Sequence, residues 1–218
     1  MRKFLLSAVL FAFFAPLASA QSDDSRFEFF GGYSLLRTDV NFDEEEFSDD
    51  EQPFKNVNGF NIAATAYATE KFGLTGDFSA HFANEPINGV ELGLPSSTNV
   101  DFKLRTFNIL GGPQVRFTND TRVTPFVRAL AGVQSNRFSI GSIPGTSSGE
   151  FSDTLTDFSL AIGGGLDIGV SDRVAIRAFQ IDYNPTFVRD RNNFALFNDP
   201  LEGERVDNVR FSIGIVFK

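Results

Sequence analysis

The chain has 218 residues, a formal net charge of −9, 42% hydrophobic and 22% charged residues, 27 Phe, 3 Tyr and 19 Gly, with neither Cys nor Trp. That charged fraction excludes a helical membrane bundle, and the apolar fraction excludes a disordered chain. Lack of Cys removes disulfide scaffolds, thiol nucleophiles and thiolate-bound metal, and the acidic balance excludes nucleic acid as a partner, since such binding rests on neutralising phosphates.

Arg2 and Lys3 precede an almost unbroken apolar run from Phe4 to Leu17, and Ala18-Ser19-Ala20 follows with the small residues of a cleavage site. This layout predicts a signal peptide over 1–20, removed after Ala20, and a mature domain over 21–218. A membrane anchor needs about 20 apolar residues, and this run is shorter. Removing two basic residues and no acid takes the −9 to −11. No later stretch reaches helical membrane length, so any further membrane crossing must be made by strands.

The rest of the chain alternates with a period of two, which predicts eight strands. Strand one, about 26–37, sets Phe27, Phe29, Tyr33 and Leu35 against Glu28, Gly32 and Ser34. Strand two, about 57–68, sets Phe60, Ile62, Ala64 and Ala66 against Asn61, Thr65 and Tyr67. Strand three, about 72–83, sets Phe72, Leu74, Phe78, Ala80 and Phe82 against Thr75, Asp77, Ser79 and His81. Strand four, about 102–117, carries Phe107, Ile109, Val115 and Phe117 against Asn108, Gln114 and Arg116. Phe102 and Leu104 fall out of phase with it, which predicts a bulge or a later start. Strand five, about 123–136, and strand six, about 156–170, alternate cleanly, placing Arg128, Asp157 and Asp167 on the polar side. In strand seven, about 174–183, Arg177 is polar-facing and the phase then blurs over Phe179-Gln180-Ile181-Asp182. Strand eight, from Asn208, sets Val209, Phe211, Ile213, Ile215 and Phe217 against Arg210 and Ser212.

Short polar turns around Glu70-Lys71, Asn119-Asp120 and Ser171-Asp172 alternate without exception with long connections over 38–56, 84–101, 137–155 and 184–207. A soluble sandwich or lipocalin-like barrel would point its apolar faces inward; a transmembrane barrel points them at lipid. The alternation of short and long connections is the outer-membrane layout. In lipid every backbone polar group must be paired internally, so strands cross only as a closed barrel. The expected fold is therefore all-β, an eight-stranded antiparallel up-and-down transmembrane barrel.

The opening strand Phe27-Glu28-Phe29-Phe30-Gly31-Gly32-Tyr33-Ser34, the segments Ile109-Leu110-Gly111-Gly112-Pro113 and Gly163-Gly164-Gly165-Leu166-Asp167, and the alternating end Phe211–Phe217 carry a family likeness. With this topology the chain resembles the small outer-membrane β-barrels of OmpA/OmpX type over about 26–218. The resemblance implies residence in the cell outer membrane, contact with its lipid and lipopolysaccharide, and assembly by the barrel-assembly machinery. Phe211 and Phe217 would supply the assembly signal, although Lys218 follows where that family ends on its aromatic. Phe must also stand in for the usual interfacial Trp and Tyr. No periplasmic domain of the OmpA kind is expected after strand eight.

Four sets of residues invite chemistry. Ser79 and His81 share a strand face, as the Ser and His of outer-membrane lipid-modifying enzymes would, but that face is the polar one, directed away from acyl chains. Gly145-Thr146-Ser147-Ser148-Gly149 matches a serine-hydrolase string without its strand-to-helix elbow, and the sole His precedes it. Eight acids from Asp39 to Glu51 crowd the first long connection with no EF-hand spacing, the composition of a solvated loop rather than a metal site. Glu28, Asp77, Arg116, Arg128, Asp167, Arg177 and Arg210 are expected in the lumen, where buried charges must pair. No catalytic residue, metal or cofactor is expected. The expected role is non-enzymatic, envelope-structural or surface-interacting, with an external ligand meeting the loops; a narrow porin-like channel is the alternative, and a lipid-modifying enzyme the third.

Overall fold

The computed structural model describes residues 26–38, 56–88, 99–140, 151–190, 203 and 205–218. Ten strands occur in chain order: β1 Phe27–Arg37, β2 Asn56–Tyr67, β3 Phe72–Asn88, β4 Asn99–Arg116, β5 Val123–Ile140, β6 Phe151–Gly169, β7 Val174–Tyr183, β8 Thr186–Phe187, β9 Arg205–Val206 and β10 Val209–Phe217. All pairings are antiparallel; β1 meets β10 and β5 meets β6, so the sheet closes on itself. The short β8 and β9 extend the β7 and β10 walls, so eight staves make the barrel. Following register partners once round the wall from Arg116 returns to β4 at Thr106, ten positions away. That stagger tilts the strands and sets the bore.

The faces settle which solvent surrounds the wall. Leu74 and Ile109 are each 62% exposed, whereas Arg210 and His81 are 0% exposed. A soluble barrel would show the reverse. Phe27, Phe72, Phe117 and Phe217 ring the short-turn end, and Phe60, Phe82, Phe107, Phe158 and Phe211 ring the other, all exposed except the half-buried Phe107. The second girdle is partly interlocked: Phe82 meets Phe107 edge-on with centroids 6.1 Å apart, and Phe158 packs on Phe187 at 5.9 Å. From Phe72 to Phe82, and from Phe107 to Phe117, ten steps of about 3.4 Å tilted by about 40° project to about 25 Å, the height of a lipid-facing band. Phe thus takes the interfacial places that Trp and Tyr usually fill.

Strand seven's blurred phase is a β-bulge. Leu166 pairs with Phe179 but Asp167 pairs with Arg177, leaving Ala178 as the extra residue. Ala178 and Phe179 both face outward, so the inward positions change from Ala175 and Arg177 to Gln180 and Asp182. Strand four holds no such break. Its register with β3 runs uninterrupted from Val115 to Asn99. Leu104 keeps the inward phase, buried with Leu36 and Val57 and flanked by Ala83 and Phe138. The expected bulge or later start is corrected: β4 begins earlier, at Asn99, and an apolar layer lies inside the barrel near its outer mouth, so apolar does not mean outward at that level. Phe30, Ala63, Ala175 and Val216 form a second inward apolar layer toward the short-turn end.

Three long connections are shorter than expected because pairing continues past the girdle, to Asn88 with Asn99, Ile140 with Phe151, and Phe187 with Arg205. The acidic segment 39–51 and the Gly145–Gly149 string lie outside the described residues.

Glycines admit this packing where a Cβ has no room. At Gly163 it would stand 2.0 Å from the Ile181 carbonyl oxygen and 2.6 Å from Asp182 Oδ1. Backbone cannot yield there without parting β6 from β7. Gly163→Val is expected to abolish the compact, heat-modifiable gel species; a variant that still migrates as wild type would refute this.

Candidate functional site in the barrel lumen

The inward positions of eight strands converge on a bore narrow enough to be filled by side chains. Its centre is a tetrad of Asp77 on β3, Arg128 on β5, Asp182 on β7 and Arg210 on β10, whose side chains have no exposure. Arg128 donates to Asp182 through Nε at 2.9 Å and Nη2 at 2.6 Å, and to Asp77 through Nη1 at 3.0 Å. Arg210 donates through Nη1 to Asp77 at 2.8 Å, and through Nε and Nη2 to Asp182 at 3.2 and 3.0 Å. Each carboxylate also takes an amide donor, Asn61 to Asp77 at 3.0 Å and Gln180 to Asp182 at 2.9 Å. Each aspartate therefore bridges both arginines. Burying four charges is tolerable only with such mutual pairing and saturated lone pairs.

Two more pairs lie toward the short-turn end. Arg177 grips Asp167 bidentately at 2.8 and 2.9 Å, with its guanidinium 4.4 Å from the Phe30 ring centroid and 4.1 Å from that of Phe126. The rings satisfy the cation where hydrogen bonding ends. Arg177 Nη1 also donates to Gln180 Oε1 at 2.7 Å, joining this pair to the tetrad. Arg116 donates to Glu28 at 2.7 Å, lies over the Tyr67 ring at 3.9 Å, and Tyr67 Oη donates to the other Glu28 oxygen at 2.9 Å. In the tetrad and these two pairs, four carboxylates balance four guanidiniums.

The structure brings together Glu28, Asp77, Arg116, Arg128, Asp167, Arg177 and Arg210 with a partner that sequence reasoning missed, Asp182. The signal was present: Phe179, Ile181 and Tyr183 alternate by themselves, placing Gln180 and Asp182 opposite, but the bulge hid this from a reading begun at Val174. Phe211 and Phe217 both point outward, and Phe217 pairs in register with Phe29.

Ser79 and His81 are not joined. Ser79 Oγ accepts from Arg210 at 2.9 Å, while His81 Nε2 lies 2.9 Å from Ser34 Oγ. The outer half of the lumen is mostly polar and carries one buried acid, Asp157, whose Oδ1 lies 3.9 Å from Arg189 Nε; the buried Asn108 Oδ1, Gln134 Oε1 and His81 Nδ1 have no hydrogen-bond partner. Among the described residues, no group of three or more His, Asp or Glu is placed to hold a metal ion.

Residues 5–218 match the family described as outer membrane protein beta-barrel domain. No curated protein matches. Among solved structures, Neisserial surface protein A is 16% identical with a TM-score of 0.50, over 89% of this chain and 97% of that one. Ail, the attachment invasion locus protein of Yersinia pestis, is 19% identical with a TM-score of 0.48, over 88% and 97%. The outer membrane protein OprG from Pseudomonas aeruginosa is 12% identical with a TM-score of 0.48, over 88% and 94%. At such identities the likeness is one of fold alone. With a lipid-facing apolar band, a charge-filled lumen and a family match over nearly its whole length, the chain belongs to the outer membrane protein β-barrel family.

Proposed function

We propose that the chain is a non-enzymatic surface protein, a plugged barrel that anchors external loops for an envelope-structural or surface-interaction role. The observation that carries this reading is the Asp77–Arg128–Asp182–Arg210 tetrad, fully buried across the bore. Its charges cancel, so it offers a permeating ion neither a net field nor an open path. Eight strands leave little room for a second route. Strands that continue past the Phe girdle support the same reading, because they lift the loop roots clear of the bilayer.

Under this reading an external ligand meets the loops, lipid and lipopolysaccharide surround the wall, and the assembly machinery reads the last strand through Phe211 and Phe217. A lipid-modifying activity is disfavoured because His81 is buried in the lumen and bonded to Ser34 rather than Ser79. The test is electrical. Full-length protein reconstituted in planar bilayers is expected to give no unitary conductance steps. Reproducible discrete openings would replace this reading with the narrow channel.

A further inference from the structure

The wall carries a charged surface feature with no role in the lumen. On β3, β4 and β5 the outward apolar run stops at Phe82, Phe107 and Val133, and the next outward positions are Asn84, Arg105 and Ser135. Lys103, Arg105 and Arg137 gather there. Arg105 pairs in register with Phe82 on one side and with Arg137 on the other, and Lys103 lies two residues along the same face. Arg105 and Arg137 are exposed. Arg137 donates a long 3.5 Å bond to Ser152 Oγ. Among the described residues, no carboxylate lies within ion-pair distance of any of the three.

Two arginines placed directly opposite each other on one sheet face repel. In a chain of net charge −9 this cannot be put down to a general excess of base. The repulsion becomes attraction when an anion with several oxygens sits between them, because guanidinium forks suit phosphate geometry. The position selects which anion. The cluster borders the outer Phe girdle, at the level where headgroups of the outer leaflet begin, and Phe82 and Phe107 offer the apolar contact that an acyl chain below such a headgroup would take.

We infer that Arg105, Arg137 and Lys103 form a binding site on the barrel's outer wall for the phosphorylated headgroup of an outer-leaflet glycolipid. The inference rests on the proposed surroundings of the wall, lipid and lipopolysaccharide, and is independent of whether the lumen conducts: a conducting barrel could still hold the lipid, and a plugged one could fail to.

The test uses folded full-length protein in mixed micelles containing lipid A, with bound lipid counted by native mass spectrometry. Wild type is expected to retain lipid A about tenfold better than its dephosphorylated form, as one or two charge-assisted hydrogen bonds predict. R105Q/R137Q should lose that preference. R122Q/R173Q, which removes two exposed arginines at the short-turn end, should keep it. Heat-modifiable migration establishes that each variant is folded; should the double variant not fold, R105Q alone is expected to lose about threefold, roughly one weak charge-assisted contact. Undiminished preference in the Arg105 variants overturns the site. So does an equal fall in R122Q/R173Q, which would mean diffuse attraction. Displacement of lipid A by millimolar inorganic phosphate would also overturn it, by assigning the cluster to a soluble anion.

Discussion

Asp182→Ala is expected to destabilise the folded barrel by about 3–5 kcal/mol, the cost of breaking a buried ion pair while leaving its partner charged. Asp182 accepts bonds from both Arg128 and Arg210, so its loss leaves two buried guanidiniums facing Asp77 alone. The measurement is urea unfolding of vesicle-inserted protein, followed by heat-modifiable migration or circular dichroism, since the chain has no Trp to report by fluorescence. Two comparisons separate this from a general effect. D182N/R210Q removes one charge of each sign and should recover a large part of the loss. Arg205→Ala removes the partner of Asp207 in a pair whose arginine is 59% exposed, and should cost under about 1 kcal/mol. If Asp182→Ala falls within about 0.5 kcal/mol of wild type, water reaches the tetrad and the lumen is not the dry plug described above.

Val127→Arg is expected to be nearly as damaging for the opposite geometric reason. Val127 is 49% exposed on the outer wall, about midway along the lipid-facing part of β5. On a water-soluble protein an arginine there would change stability by no more than about 0.5 kcal/mol. At the midplane of a bilayer it costs about 2–4 kcal/mol, falling to about 0–1 near the interface. Ser171→Arg, in the exposed turn between β6 and β7 outside the lipid band, should therefore be almost silent. Equal, small effects at both positions would contradict a lipid-facing wall.

The inversion of polarity explains which parts of the molecule sequence reading reached. Alternation in β1, β2, β3, β5, β6 and β10 assigns Phe27, Phe60, Leu74, Val127, Ile162 and Phe211 to one face, and the structure exposes all of them. The period is a local property of the pleat, so it is legible wherever the strand is regular. The reading failed where it equated apolar with outward. Leu104, Phe30 and Leu110 are apolar and inward, because the lumen needs to be filled, and side chains inside a closed wall meet one another rather than water. It also failed at the β7 bulge, because the unpaired Ala178 is visible only against β6 and β10, whose registers shift around it. Loop extents were overestimated because polar residues outside the lipid band still pair as strands.

The sequence by itself determined the solvent and the strand number: an apolar period of two, eight times repeated, with short and long connections alternating, admits few folds once the backbone must be satisfied in lipid. Only the tertiary structure decided which charges meet. Asp77 and Arg210 are 133 residues apart yet bonded at 2.8 Å, and closure with a ten-residue stagger sets that contact. Pairing across a lumen depends on register accumulated around the whole wall, a quantity no single strand carries. The same holds outside, where Arg105 and Arg137 become neighbours through the β4–β5 register and acquire, together, a chemistry that neither has alone.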